Sequence, residues 1–336
     1  MKASSSNSLI LGNLVDRCIL DKEDQFISPH PSGDPLFAAA ASKSLGIYPT
    51  LLSRISLDYP QAYITDIQTR GINISAIQRL ERSYDHRLFT SLKDPQRPHH
   101  DKPIQHFAQA RQKLPKSLLD YQYNDTHIDK PDKRKKMTWR ESDLNGIQTV
   151  FAGAHLCPND FLSHQLMPSA LRARGIKTLT LESRHSYMIP DFKRKIPDLV
   201  NGLSAFVSTR QQIEQVFGKG IDHWQEMARL ADFGCDAIIL VDHFKGIDLF
   251  IADKLQRLHI PPYPGKIRDL TFAKSSFGGG LLAGLILTQD ILEAALLGAA
   301  AMSLAAESYK PFFILDSYEG LITSRKDNLA QAIKTR

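Results

Sequence analysis

The chain has 336 residues, 42% of them hydrophobic and 23% charged, enough for one well-buried α/β domain or two smaller ones. Its net charge of +6 is mild for this length. Much of the excess sits in one run, KPDKRKK at 130–136, which reads as a solvated loop, so nothing marks a nucleic-acid partner. Three scattered cysteines, Cys18, Cys157 and Cys235, do not make a disulfide framework and fit a reducing cytoplasm, with Cys157 and Cys235 read as packed thiols.

The N-terminal stretch MKASSSNSLILGNL lacks the long apolar core of a signal peptide. Within it, residues 8–15 (SLILGNLV) are an apolar run closing on a glycine turn, the pattern of a buried strand. An Ala-rich segment at 35–46 ends on Gly46, which suits a helix with a glycine C-cap. TLLSRIS at 50–56 reads as the next strand, and 58–72 as a helix capped by Asp58 and stopped by a glycine. Such alternation predicts an α/β fold with a mostly parallel sheet.

From about 85 to 148 the alternation weakens. RPHHDKPIQH, several prolines and the basic run fit a lid-like or irregular insertion. His99, His100, Asp101 and His106 lack the spacing of a structural zinc site, so a flexible polar loop is expected and no metal. Strand patterns return at 149–156, 177–183, 204–208 and 237–243, with helix patterns at 161–175 and 222–234. The most apolar stretch, 277–306, is broken by Thr288, Gln289, Asp290 and Glu293. It predicts two buried helices, the second opened by an Asp290/Glu293 capping box, and no membrane segment.

Residues 269–284, DLTFAKSSFGGGLLAG, feed a glycine run into the first of those helices. Backbone N–H groups at such a helix start suit a phosphate. Phe272, Lys274 and Ser275 do not, because a phosphate-cradling turn wants glycine and a catalytic carboxylate there.

In this order the signals resemble the ribokinase-like (PfkB) family of sugar and nucleoside kinases over about residues 8–325. Gly12–Asp16 resembles the family's first strand and turn, whose Asp binds substrate hydroxyls. SGDPLFAAAASKSLG at 32–46 resembles its glycine pair and Ala-rich helix. SRISLDYPQAYITDIQTRGI resembles its strand, Gly-x-Asp turn and helix, and SSFGGGLLAGLIL followed by DILEAALLGAAAMSLA resembles its C-terminal signature. The resemblance implies a three-layer α/β sandwich, one domain over 1–336. It implies a small β lid from about 12–30 and 85–115 and an irregular basic loop at about 120–147. It also implies substrate contacts from Asp16, Gly33 and Asp34, a sugar, polyol or nucleoside ligand, and a homodimer, or a heterodimer with an active relative.

The departures from that family fall on one function. Its signature Asp-Thr-Thr-Gly-Ala-Gly-Asp aligns with residues 269–275. The anion-hole positions are then Phe272, Ala273 and Lys274, and the base position is Ser275. A serine hydroxyl is no general base near neutral pH without another group to activate it, and a Cβ at each former glycine crowds the phosphate. The family's Asn-x-x-Glu maps to Thr209–Gln212, where an amide replaces the carboxylate that organises Mg²⁺. Its Gly-x-x-Gly turn beside the nucleotide becomes Asp242–Ile247, and the Asn of its last long helix becomes Ala299. We therefore expect a pseudokinase that binds a ligand or partner without ATP or Mg²⁺. The alternative is an active sugar or nucleoside kinase with a displaced base, which needs both. Local alternatives stand beside these. Lys274 is either an anion-binding point or a surface residue. Ser275 is a spent base position or a nucleophile served by His243 and Asp242. Asp16 and Asp34 are ligand groups or turn carboxylates. Gly278, Gly279 and Gly280 are read as packing residues.

Overall fold

A computed structural model describes residues 7–123 and 128–336. Residues 1–6 of the N-terminal stretch and 124–127 of the expected basic loop lie outside the described residues. The strands in chain order are β1 (Asn7–Leu11), β2 (Val15–Leu20), β3 (Phe26–Ser32), β4 (Tyr48–Leu52), β5 (Arg54–Ile55), β6 (Gln78–Arg79), β7 (Arg87–Ser91), β8 (Gly153–Leu156), β9 (Thr178–Glu182), β10 (Ala205–Ser208), β11 (Ala237–Asp242), β12 (Gly246–Ile251), β13 (Gln256–Ile260) and β14 (Lys334–Thr335). The helices are α1 (Asp34–Ser44), α2 (Gln61–Thr69), α3 (Pro103–Gln109), α4 (Phe161–Ala173), α5 (Ile196–Val200), α6 (Arg210–Phe217), α7 (His223–Ala231), α8 (Ala273–Thr288), α9 (Ile291–Ala305) and α10 (Leu321–Ala330).

The central sheet runs β4-β1-β8-β9-β10-β11-β12-β13-β14. It is parallel from β4 to β11 and antiparallel beyond. Its strands are short apolar runs because both faces are covered. Period-two alternation divides each strand between two cores. Ile10, Ile239 and Val241 face the core that holds α1, α8 and α9. Leu9, Leu11, Ile238 and Leu240 face the core that holds α4 to α7. This is the expected three-layer sandwich. A separate sheet, β3-β2-β7, closes a third core of Cys18, Leu20, Phe89, Phe107, Leu118 and Tyr121.

The stretch 277–306 is two helices, as its polar interruption predicts. Asp290 caps α9 by accepting from Glu293 N at 2.9 Å. The box is only half formed, since Glu293 turns to Lys326 instead. The helix expected over 58–72 starts later, at Gln61 behind Pro60. Asp58 does not cap it; its carboxylate accepts from Ser56 Oγ. Nor is the basic run wholly solvated. Arg134 pairs with Glu141 and Lys135 Nζ lies 3.5 Å from Asp129, because Met137, Thr138 and Trp139 just beyond are buried and pull the run inward. The three cysteines are buried and free. Among the described residues no helix is long and apolar enough to cross a membrane, and no group of three or more His, Cys, Asp or Glu side chains is placed to hold a metal ion.

Candidate active site

From β1 the chain adds β4 on one side, then returns to add β8 on the other. The winding reverses between β1 and β8, and in open α/β sheets ligands sit outside the carboxyl ends of strands at such a reversal. A cavity of about 330 Å³ lies there. Its walls include Asn13 after β1, Pro158 after β8, Arg184 after β9, Asp34 in the first turn of α1, and Phe272 before α8. Gly33 sets the start of α1. Its φ of 116° suits glycine, and a Cβ there would sit 2.5 Å from Asn13 O. A second cavity, of about 450 Å³, shares residues 84–87 with the first and holds Asp16 and Asp58. The two carboxylates expected on one substrate, Asp16 and Asp34, thus line different cavities. β2 turns Asp16 toward Tyr63, whose hydroxyl donates to it at 3.0 Å.

The neighbouring residue, Arg17, takes the opposite face of β2 and is fully buried. Its Nη1 lies 2.5 Å from Asp269 Oδ2, its Nη2 donates to Thr271 Oγ1 at 2.8 Å, and its Nε donates to Thr90 Oγ1 at 3.0 Å. Burial alone would raise the Asp269 carboxyl, but the guanidinium outweighs it and holds the group below the ordinary aspartate value. The pair ties the small sheet to the segment that leads into α8. Phe272 lies between them, 5.3 Å from the Phe37 ring centroid and 5.2 Å from the Arg17 guanidinium. An aromatic ring therefore stands at the first position where the sequence resemblance led to the expectation of a glycine.

One turn into α8, Ser275 Oγ lies 2.8 Å from Asp34 Oδ1 and 2.8 Å from Glu182 Oε2. A hydroxyl carries one proton, so it cannot donate to two carboxylates at once. The arrangement is satisfied when Asp34 holds a proton and donates to Ser275, which donates to Glu182. The electrostatics agree. Burial, and then the Glu182 charge, push Asp34 up to about 7. Glu182 is also raised by burial, but Lys274 and His155 outweigh that and hold it below the ordinary glutamate value. Lys274 Nζ stands 3.3 Å from Glu182 Oε1, and His155 Nε2 stands 3.9 Å from Glu182 Oε2. Lys274 is thus neither a bare surface residue nor a loose anion point; it is the counter-ion of a buried carboxylate.

These partners overturn the Ser–His–Asp alternative. Ser275 bonds two carboxylates, while Asp242 turns back to accept from the Phe244 and Lys245 N–H groups of its own hairpin. Gln212 is committed to structure as well. It forms a capping box with Thr209 at the start of α6, and its Oε1 accepts from Ser183 and Ser208. His100 packs against β7, with Nδ1 3.1 Å from Phe89 O, so it does not hang on a loose loop. Glu182 escaped the sequence reading. The available signal was an acidic residue closing a buried parallel strand, at the end where ligands gather.

The glycine run serves packing. A Cβ on Gly278 would fall 2.2 Å from the His155 ring, on Gly279 2.0 Å from Ala38 O, and on Gly280 2.9 Å from Gly298 Cα. α8 can approach β8, α1 and α9 only because these positions lack side chains.

No family model matches the chain, and no curated protein matches it. Solved structures do. Aminoimidazole riboside kinase from Salmonella enterica, complexed with aminoimidazole riboside and an ATP analogue, superposes with a TM-score of 0.66 at 15% identity, over 95% of this chain and 100% of that one. The chain has the ribokinase-like fold. A fructokinase double mutant from Vibrio cholerae O395, with fructose, ADP and potassium bound, gives 0.70 at 15% identity, over 96% of this chain and 99% of its own. Burkholderia thailandensis nucleoside kinase with inosine gives 0.66 at 15% identity, over 96% and 98%. All three solved chains are kinases of sugars or nucleosides, so the sandwich predicted from sequence is the architecture of that group.

Proposed function

We propose that this chain is a ribokinase-like protein without phosphoryl-transfer activity, which works by binding a small polyol, sugar or nucleoside-type ligand in the cavity at the sheet's winding reversal. The β3-β2-β7 sheet is the lid over that cavity and also the surface for a homodimer or a heterodimer with an active relative. The observation that carries this is Ser275, held between Asp34 and Glu182 with Lys274 closing the charge. A kinase needs at that point a base for the attacking hydroxyl and open backbone donors for the phosphate. Here the hydroxyl is engaged by two carboxylates, Phe272 occupies the helix start, and the Lys274 ammonium is committed to Glu182.

The residues present do not fit MgATP. Gln212 is spent on a helix cap, and the cavity beside Gly246 and His243 is about 30 Å³, room for about one water molecule. One observation favours the active alternative: Asp34 faces the 330 Å³ cavity and is raised to about 7, a value suited to a displaced general base, which would require ATP and Mg²⁺. Incubation with MgATP and a panel of pentoses, hexoses and nucleosides separates the two. No transfer is expected. Turnover at about 1 s⁻¹ or faster, the ordinary range for kinases, overturns the proposal, and its loss in Asp34→Asn would then identify the base.

A further inference from the structure

The middle strand of the small sheet is tied to the body on both of its faces. β2 lies between β3 and β7, and successive residues leave it in opposite directions. On one face Asp16 accepts from the Tyr63 hydroxyl of α2 at 3.0 Å, and Val15 O beside it accepts from Tyr59 at 3.4 Å. On the other face Arg17 reaches the segment before α8, donating to Asp269 at 2.5 Å and to Thr271 at 2.8 Å. The same guanidinium donates to Thr90 of β7 at 3.0 Å, so it also joins two strands of the sheet.

This grip bears on the site. Val15, Arg87 and Leu88 of the small sheet line the 330 Å³ cavity together with Asp34, Pro158 and Phe272 of the body, so any movement of the sheet would change the cavity's width. A sheet held on one face can swing away from that face about its far edge. A strand held on both faces has no such axis. Moving it breaks at least two hydrogen bonds to charged groups, each worth about tenfold or more in an equilibrium, so a displaced form should stay below about 1%. The Arg17 and Asp269 side chains, 0% and 2% exposed, have no water at hand to take over a bond as it begins to stretch.

We propose that the small sheet is a fixed cover. The contacts of Arg17 with Asp269 and Thr271, and of Asp16 with Tyr63, hold it in one position, so the cavity is preformed and a ligand enters without closure of the sheet. Binding then carries no cost for ordering a moving cover. The use of the cavity rests on the ligand-binding reading above, but the test needs no ligand, so the two can fail separately.

The test measures the distance between two nitroxide labels on the full chain by pulsed electron paramagnetic resonance. One label goes on Glu23→Cys, in the exposed turn after β2, and the other on Lys245→Cys, in the exposed hairpin after β11. The three native cysteines are buried, so the introduced thiols take the labels. Labels on Lys177→Cys and Lys245→Cys, both exposed positions beside strands of the central sheet, give the spread expected of a rigid body. The first pair should show one distance with the same spread. Adding Arg17→Met should broaden that distance or add a longer one. Where Arg17→Met does not fold, Thr271→Val with Tyr63→Phe removes one bond from each face and is read in the same way. Two distances, or a spread wider than the control, in the protein with Arg17 intact overturn the fixed cover. A single, unbroadened distance in the loosened variant overturns the assignment of the grip to these residues.

Discussion

Lys274 and Glu182 form one unit. The ammonium is 3.3 Å from Oε1 of a carboxylate that is almost completely buried. The cation stands beside Ser275 at the start of α8 and answers an acid that comes from the end of β9. Replacing Lys274 by Met leaves Glu182 buried without its main counter-charge. A loss of about 1–3 kcal/mol is expected in urea unfolding, at the modest end for a charged partner because the lysine side chain is partly exposed. In Lys274→Met/Glu182→Gln the loss should shrink, so a double-mutant cycle gives a clear coupling energy. Additive single effects would show that the two residues do not act together.

Asp34 gives a pH signature of known sign. Its carboxyl is raised to about 7 in the folded protein by burial and by Glu182, against about 3.9 in an unfolded chain. The unfolded state therefore releases this proton first as pH rises. The stabilisation is complete below about pH 4 and is lost as pH climbs to about 7, above which it changes no further. Glu182, held low in the fold, contributes in the opposite sense and loses its share as acid protonates it. In Asp34→Asn the fall between about pH 4 and 7 should flatten, and the protein should gain stability at pH 8 relative to the parent. Melting temperatures across that range provide the check. Parallel profiles for parent and variant would refute a protonated Asp34.

The sandwich was legible because its signals are local. Apolar runs of strand length, a glycine stop at Gly46 and the break at Thr288–Asp290 each act within a few residues of chain. The site was legible only in outline. Ser275 and its partner Glu182 are 93 positions apart, and no local pattern announces that pair. Asp16 and Asp34 looked equivalent because both match substrate-contact positions of the family the sequence resembles. Strand pleating then sent Asp16 to Tyr63 on one face and Arg17 to Asp269 on the other. Lys274 was misjudged for a similar reason, since its meaning depends on an acid from a distant strand.

The Arg17–Asp269 pair makes the small sheet part of the site's foundation. Both side chains are buried, and Arg17 also satisfies Thr90 and Thr271. Arg17→Met should cost about 3–5 kcal/mol, because it strands a buried carboxylate. Arg17→Met/Asp269→Leu should recover much of that, since an apolar pair of similar volume avoids the unpaired charge. Chemical denaturation of the three proteins measures both numbers. A parent-like Arg17→Met protein would mean that the ion pair does not hold the two parts together.

The glycine run offers the sharpest separation of packing from phosphate binding. A methyl group at Gly279 would point at Ala38 O from 2.0 Å, and that oxygen belongs to the backbone of α1. Gly→Ala in a helix ordinarily favours the helix by up to about 1 kcal/mol. Overpacking a tight core opposes it with about 1–3 kcal/mol and sometimes more, and here backbone must move for the methyl to fit. Gly279→Ala should therefore lower stability by about 2 kcal/mol or more. Leu287→Ala, an exposed position on the same helix, should stay within about 0.5 kcal/mol. Calorimetric melting of both variants decides the matter. A Gly279→Ala protein as stable as its parent would return the run to consideration as an anion cradle. A large loss, with polyol affinity unchanged in the protein that still folds at low temperature, would fix its role as the contact that lets α8 lie against α1.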